Sequence, residues 1–335
     1  MPDLYQQAQA FRAALLRRDN AALAAITEAY GQAYSRLLRQ LADLLNQIAE
    51  RRAQGLPDNP AWLAKSDRYN ALLRDMDKEF QRFGLNAGQL VRARQADEFQ
   101  RGVRDAATLT QTGIENAPRL SVQFDRLAPA AVEQMLGALQ DSTPLVKLFD
   151  EIAPLAVAQA KDALTNAVAQ GWSPRKAAAE LRRALGIPLN RALTIARTET
   201  IRAYREAARA QYEDNSDIIK GWRWISAKSL RTCLNCLSRD GRIYPLEKPL
   251  PQHPNCRCTL SPVLINTDAA PGYQTGTEWF NSLPDDQQQQ MMSGKAFDLY
   301  KSGDITLRDF EGEKKSRKWG ASTYERSVKE ILADR

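Results

Sequence analysis

All four cysteines and the only histidine of this 335-residue chain fall within 26 residues, at positions 233–258. The spacing is C-x2-C, then 16 residues, then H-x2-C-x-C. Two tight loops supplying two thiolate or imidazole ligands each complete a tetrahedral Zn2+ site without a large core. Cys233 and Cys236 form the first pair. His253, Cys256 and Cys258 offer three candidates for the two remaining places, so a four-cysteine shell and a shell that includes His253 both stay open. The cofactor expected is a structural Zn2+. Two readings compete with it: disulfides, which suit a particle that ends outside the cell, and thiols buried as small hydrophobes. A chain made in bacterial cytosol favours reduced or metal-bound thiols. His253 precedes Pro254, so its ring sits on a constrained turn, where it could also serve only the backbone.

The charge is concentrated around the same cluster. Residues 171–262 carry 17 Lys and Arg against 8 Asp and Glu, a net of +9, whereas the remainder carries 30 against 32, a net of −2. That imbalance points to an acidic partner without naming one. Within the block, Arg191, Thr198, Arg202, Arg205 and Arg209 fall at offsets of 0, 7, 11, 14 and 18, one face of a helix expected over 190–214. Guanidinium is a planar multi-donor, so these arginines are candidate contacts for phosphate, double-stranded DNA foremost, or for an acidic protein surface. The plainer reading is a solvated face, partly neutralised by Glu199 and Glu206.

The first 115 residues read as long helices: 5–30 with a turn-prone spot at Asp19-Asn20, then 35–52, 64–83 with Gly84 as its cap, and 87–110. Leu37, Leu41, Leu44, Leu45 and Ile48 make an apolar stripe, either core of a helical bundle or a face that docks on another assembly. The Gly- and Pro-containing run 54–60 is a loop. A link around Pro118 leads to a helix with Pro129 in its first turn that ends near Leu139. Another helix, 144–170, is kinked or split by Pro154 and stopped by Gly171. Ser173-Pro174 opens a short helix that ends at Gly186. After residue 215 the pattern changes to short strands at 218–225, 242–244 and 259–265, with Asp240-Gly241 as a hairpin-type turn. The polar segment past Pro271 returns to short helices near 278–283, 285–292 and 323–333.

The fold class expected is therefore mainly α. Long N-terminal helices (1–115) precede a central α+β domain (116–266) with a small β-rich, zinc-knuckle-like element, and a short, partly helical tail (267–335) follows. No apolar run is long enough for a transmembrane helix, and the N-terminus does not read as a secretory signal. No repeat with a period of 20–50 residues is present.

Five motifs come in a fixed order: Ala196-Arg197-Thr198-Glu199-Thr200, Trp222-Arg223-Trp224, Thr232-Cys233-Leu234-Asn235-Cys236, Asp240-Gly241, and His253-Pro254-Asn255-Cys256-Arg257-Cys258. Together with Gly171-Trp172-Ser173 upstream, this series resembles the phage Mu F-like head morphogenesis family, also called minor head or minor capsid proteins. The resemblance covers roughly 143–265. It implies a virion protein of a tailed phage or prophage, assembled in the host cytoplasm and sited inside the head or at the portal vertex. Its implied partners are the portal protein or major capsid protein, with a role in head morphogenesis and in DNA packaging or ejection. No membrane partner is implied during assembly. Some relatives carry a toxin or enzyme module after this domain, but here only a short polar tail follows.

An enzyme is not expected. The one histidine lies in the cysteine cluster, so no separate Ser-His or Cys-His pair exists. There is no H-E-x-x-H, no phosphate-binding glycine loop and no dinucleotide fingerprint. The alternative to an assembly protein is a zinc-containing nucleic-acid-binding module of another machine, which would not need the long N-terminal helices.

Overall fold

The computed structural model describes residues 4–115, 146–248, 250–251, 253–265, 272–316 and 320–334. Three long helices dominate: α1 (Leu4–Ala53), α3 (Asp67–Glu115) and α6 (Pro174–Glu213). The shorter α2 (Pro60–Lys65), α4 (Val146–Asp150) and α5 (Ile152–Ala169) come between them in sequence. The mainly α class with long N-terminal helices and a small sheet is the one the chain adopts. The link at Pro118, the helix containing Pro129 and the start of the 144–170 helix lie outside the described residues.

The helices are fewer and longer than the local breakers suggest. α1 passes through Asp19-Asn20 without a turn, and Asp19 is buried. α3 passes through Gly84, which therefore caps nothing. A Cβ on Gly84 would stand 2.9 Å from the Phe149 carbonyl oxygen, so this glycine marks a close approach between helices. α6 continues through Gly186 and Pro188 to Glu213. In the turn that Pro188 weakens, the Leu185 carbonyl accepts the Tyr30 hydroxyl at 2.7 Å. A glycine or proline costs about 1–3 kcal/mol inside a helix, less than burying the large side chains around these positions contributes. Pro154 falls in the first turn of α5, where proline is tolerated, and so marks a split between α4 and α5.

The chain forms two compact units. One comprises Asn20–Ala93 and Thr143–Arg197, and the other Met1–Asp19, Arg94–Ser142 and Thr198–Arg335. The described residues of the first are all helix and connection. Leu37, Leu41, Leu44, Leu45 and Ile48 are each 6% exposed or less, so the stripe is core and not an open docking face. The Tyr30 ring packs on Phe80 and Phe83 at 4.9 and 5.1 Å.

The second unit holds a three-stranded antiparallel sheet in the order β2–β1–β3, from β1 (Ile219–Ile225), β2 (Ile243–Tyr244) and β3 (Thr259–Leu264). The period-two pair Trp222 and Trp224 is fully buried, and Trp222 stacks on Tyr244 with ring centroids 4.6 Å apart. Cys236, Cys256 and Cys258 belong to this same core. A short helix, α7 (Leu234–Arg239), is inserted between β1 and β2. Asp240-Gly241 thus leads from a helix into a strand and does not join two hairpin strands.

The C-terminal segment is more ordered than its polar sequence suggests. It contains α8 (Gly276–Asn281), α9 (Asp285–Met291), α10 (Gly294–Lys301), a 3-10 turn (Leu307–Phe310), a hairpin of β4 (Glu311–Ser316) and β5 (Gly320–Glu325), and α11 (Val328–Ala333). α10 and the hairpin have no counterpart in the sequence reading, and Thr323 lies in the hairpin, not in a helix. Phe280, Met292, Ile305, Phe310 and Ile331 form an apolar cluster here that takes in Leu234 and Leu237 of α7. Among the described residues, no helix is long and apolar enough to cross a membrane.

Candidate metal centre

The two halves of the cysteine–histidine motif are brought together by different means. Cys233 is the N-cap residue of α7, and Cys236 lies in its first turn. The Cys236 N–H donates to the Cys233 carbonyl at 3.0 Å, which turns both thiols toward one point. In the second half, the Cys256 N–H donates to the His253 carbonyl at 3.1 Å. Asn255 sits between them at φ 64°, a left-handed position that Asn tolerates better than most residues. Cys258 then enters β3 directly.

The donor atoms converge. His253 Nε2 lies 3.4 Å from Cys233 Sγ and 3.2 Å from Cys236 Sγ, and Cys236 Sγ lies 4.0 Å from Cys256 Sγ. Cys236, Cys256 and Cys258 form a second group with ligand atoms within 4.8 Å of one another. A zinc tetrahedron with bonds of about 2.3 Å to sulfur and 2.0 Å to nitrogen has edges of about 3.5–3.8 Å. The three contacts of 3.4, 3.2 and 4.0 Å lie near those edges. All four cysteines are free, and 4.0 Å between the Cys236 and Cys256 sulfurs is far from the ~2.05 Å of a disulfide.

The histidine is oriented as a metal ligand. Its Nδ1 donates to the Pro254 carbonyl at 2.9 Å, which leaves Nε2 facing the thiols. Its place on the Pro254 turn therefore serves the cluster as well as the backbone. Charge is shared through the group. The hydrogen bond with Cys236 pulls the Cys233 thiol down to about 5, against burial, and His253 adds to the effect. Hydrogen bonds with Cys236 and Cys258 pull Cys256 well down, with Arg205 and His253 contributing. Cys236 is pushed up by its bond with Cys233. Burial opposes charge on His253, yet the Cys256 charge and the bonds to Cys233 and Cys256 raise it to about 11. With a protonated His253 facing two thiolates, a divalent cation bound here would release that proton and take the place of its charge. A cavity of about 240 Å³ opens beside the cluster between Thr232 and Arg257 and provides an entry path.

The arginine stripe has a different fate from the one its offsets suggest. Arg205 is 2% exposed and faces inward. Its Nε donates to the Cys258 carbonyl at 2.7 Å and its Nη2 to the Cys256 carbonyl at 3.1 Å. Two turns earlier on the same face of α6, Thr198 Oγ1 accepts the Asn255 N–H at 3.1 Å. The helix therefore holds the second ligand loop at two points. Arg202 pairs with Glu199 at 2.8 Å. Arg209 pairs with Glu206 and Glu213 and also donates to the Leu246 carbonyl at 3.1 Å. Arg191, in the other compact unit, lies 3.5 Å from Glu151. Asp240 is likewise engaged, accepting the Tyr273 hydroxyl at 2.8 Å and facing Lys228 at 3.2 Å. Sequence reasoning missed the supporting role of Arg205 and Thr198, although their seven-residue spacing was visible.

Residues 158–261 match the family described as phage Mu protein F like protein. The matched stretch begins in α5, ends in β3 and contains every cysteine and the histidine. It spans about a third of the chain. No curated protein and no solved structure matches the chain.

Proposed function

We propose that this phage Mu F-like protein is a minor head protein of a tailed phage or prophage, a structural component of the virion that acts in head morphogenesis. Its place is the capsid interior or the portal vertex, and its partners are the portal protein or major capsid protein. The role is structural and not catalytic. The observation that carries the reading is the family match, which falls on the segment containing the Cys/His cluster.

Within that role the cluster holds one structural Zn2+. Cys233, Cys236 and His253 form one group of donors and Cys236, Cys256 and Cys258 another, the two sharing Cys236, and four of these five residues hold the ion. Bound there, zinc supplies no reaction chemistry and ties α7 to the loop that leads into β3. α7 presents one pair of donors. Arg205 and Thr198 hold the loop that presents the other. Any direct contact with packaged double-stranded DNA uses cations other than Arg205, which is buried against the cysteine loop.

The test has two parts. Mass spectrometry of purified particles from the encoding phage is expected to find the protein at a fixed ratio to portal protein, and its absence from particles overturns the assembly role. Native mass spectrometry of the protein made in cytosol is expected to show one zinc per chain. A mass equal to the bare chain overturns the metal assignment.

A further inference from the structure

We infer that the C-terminal stretches 272–316 and 320–334 are the clamp that positions the C-x2-C half of the metal centre, acting through Glu325 and Gly276 on α7. The inference rests on the zinc reading above. α7 has only six residues, too short to hold itself in place. Its N-cap residue is Cys233, whose side chain makes no capping bond because the sulfur is turned into the cluster. The first N–H groups of a helix need outside acceptors. Here the acceptor comes from 91 residues away: Glu325 Oε2, at the end of β5, takes the Leu234 N–H at 2.7 Å. A carboxylate at this point also lies favourably against the helix dipole.

Three further contacts fix the same short helix. Leu234 and Leu237 are 1% and 0% exposed, buried in the apolar cluster of the C-terminal segment. Glu311 at the start of β4 accepts from Ser238 and from Arg242. At Gly276 the backbone of α8 comes so close that a Cβ would stand 2.3 Å from the Leu237 carbonyl oxygen and 2.8 Å from Asp240 Cβ. α7 thus has two faces. One carries the ligands into the sheet core, and the other is gripped by residues that belong to no recognised part of the motif. Groups that orient metal ligands from behind commonly change metal affinity by about 10–100-fold when removed.

The experiment measures zinc affinity by chelator competition, and the visible spectrum with Co2+ in place of zinc, on full-length protein. Glu325→Ala is expected to weaken zinc by about tenfold and to alter the Co2+ spectrum, while Glu325→Gln, which keeps an acceptor oxygen, restores most of both. Gly276→Ala, which touches no ligand, is expected to weaken zinc at least as much. Lys315→Ala, at an exposed position of the same hairpin, is the control and leaves affinity unchanged. Linkage is reciprocal, so metal loading is also expected to slow amide exchange in the 311–325 hairpin. Wild-type protein that binds one zinc, with Glu325→Ala and Gly276→Ala binding it equally well and hairpin exchange indifferent to metal, overturns the clamp alone. Wild-type protein that binds no zinc overturns the metal reading and the clamp with it.

Discussion

The all-helical unit and the unit that carries the cysteine cluster are held together by opposite strategies. In the helical unit, an apolar side chain every three or four residues points inward, and the core is spread over many such side chains. Around the cysteine cluster of the other unit, a few hydrogen bonds set the geometry, and they join residues far apart in the chain. Arg205 reaches Cys256 and Cys258 across 51 and 53 residues, and Leu234 reaches Glu325 across 91. Losing a core side chain lowers stability but leaves the other contacts of a periodic core in place. Losing one of a handful of directed bonds moves a ligand loop, and so changes geometry more than stability.

The largest expected effect is loss of the metal. Cys233→Ser with Cys236→Ser removes half the donor set, and structural zinc is worth on the order of 10 kcal/mol to a small site. Hydrogen exchange is expected to show residues 219–264 deprotected and residues 20–93 unchanged. Equal deprotection of both segments would erase the contrast between the units. Next comes Phe80→Ala in the helical unit, a fully buried ring whose removal costs about 3–5 kcal/mol. Thermal unfolding is expected at lower temperature while zinc content stays at one per chain. A parallel loss of zinc would show that the helical core and the metal site are one cooperative structure.

A smaller effect, of about 2–3 kcal/mol, is expected for Arg205→Gln, because hydrogen bonds from a charged group to buried carbonyls are lost. Arg205→Lys is expected to recover little, since an ammonium does not span both carbonyls as the planar guanidinium does. Denaturant titration of both variants, read by tryptophan emission from Trp222 and Trp224, checks this. The smallest effect concerns polyanions. Arg191, Arg202 and Arg209 each already face a carboxylate. Changing all three to Gln is therefore expected to shift the log–log salt slope of duplex DNA binding by less than about one, where three phosphate contacts would shift it by about 2.7. A shift near the larger figure would mean that these side chains leave their partners for phosphate.

Much of this molecule was legible in its local patterns. The Leu37 to Ile48 spacing announced a buried helical face, the Trp222/Trp224 alternation announced β1, and the Cys and His positions announced a cluster of side chains that could hold a metal. Each signal is carried by side-chain identity within one or two turns or one strand, so no distant residue is needed to read it. Some local signals went unread: Thr275-x-x-Glu278 and Ser327-x-x-Glu330 are capping boxes that mark the starts of α8 and α11.

Tertiary structure decided the rest. Whether Asn20, Gly84 and Pro188 end a helix depends on what packs around them, and here burial outweighs a breaker's cost of about 1–3 kcal/mol. The β4–β5 hairpin has the polar sequences EGEKKS and GASTYE, so its pairing rests on backbone hydrogen bonds and its setting, which no alternation reports. The direction of Arg205 was the hardest to foresee. An arginine on a charged stripe has the same sequence signature whether it faces water or a cysteine loop, and only the position of Cys256 and Cys258 in space makes the inward rotamer the stable one.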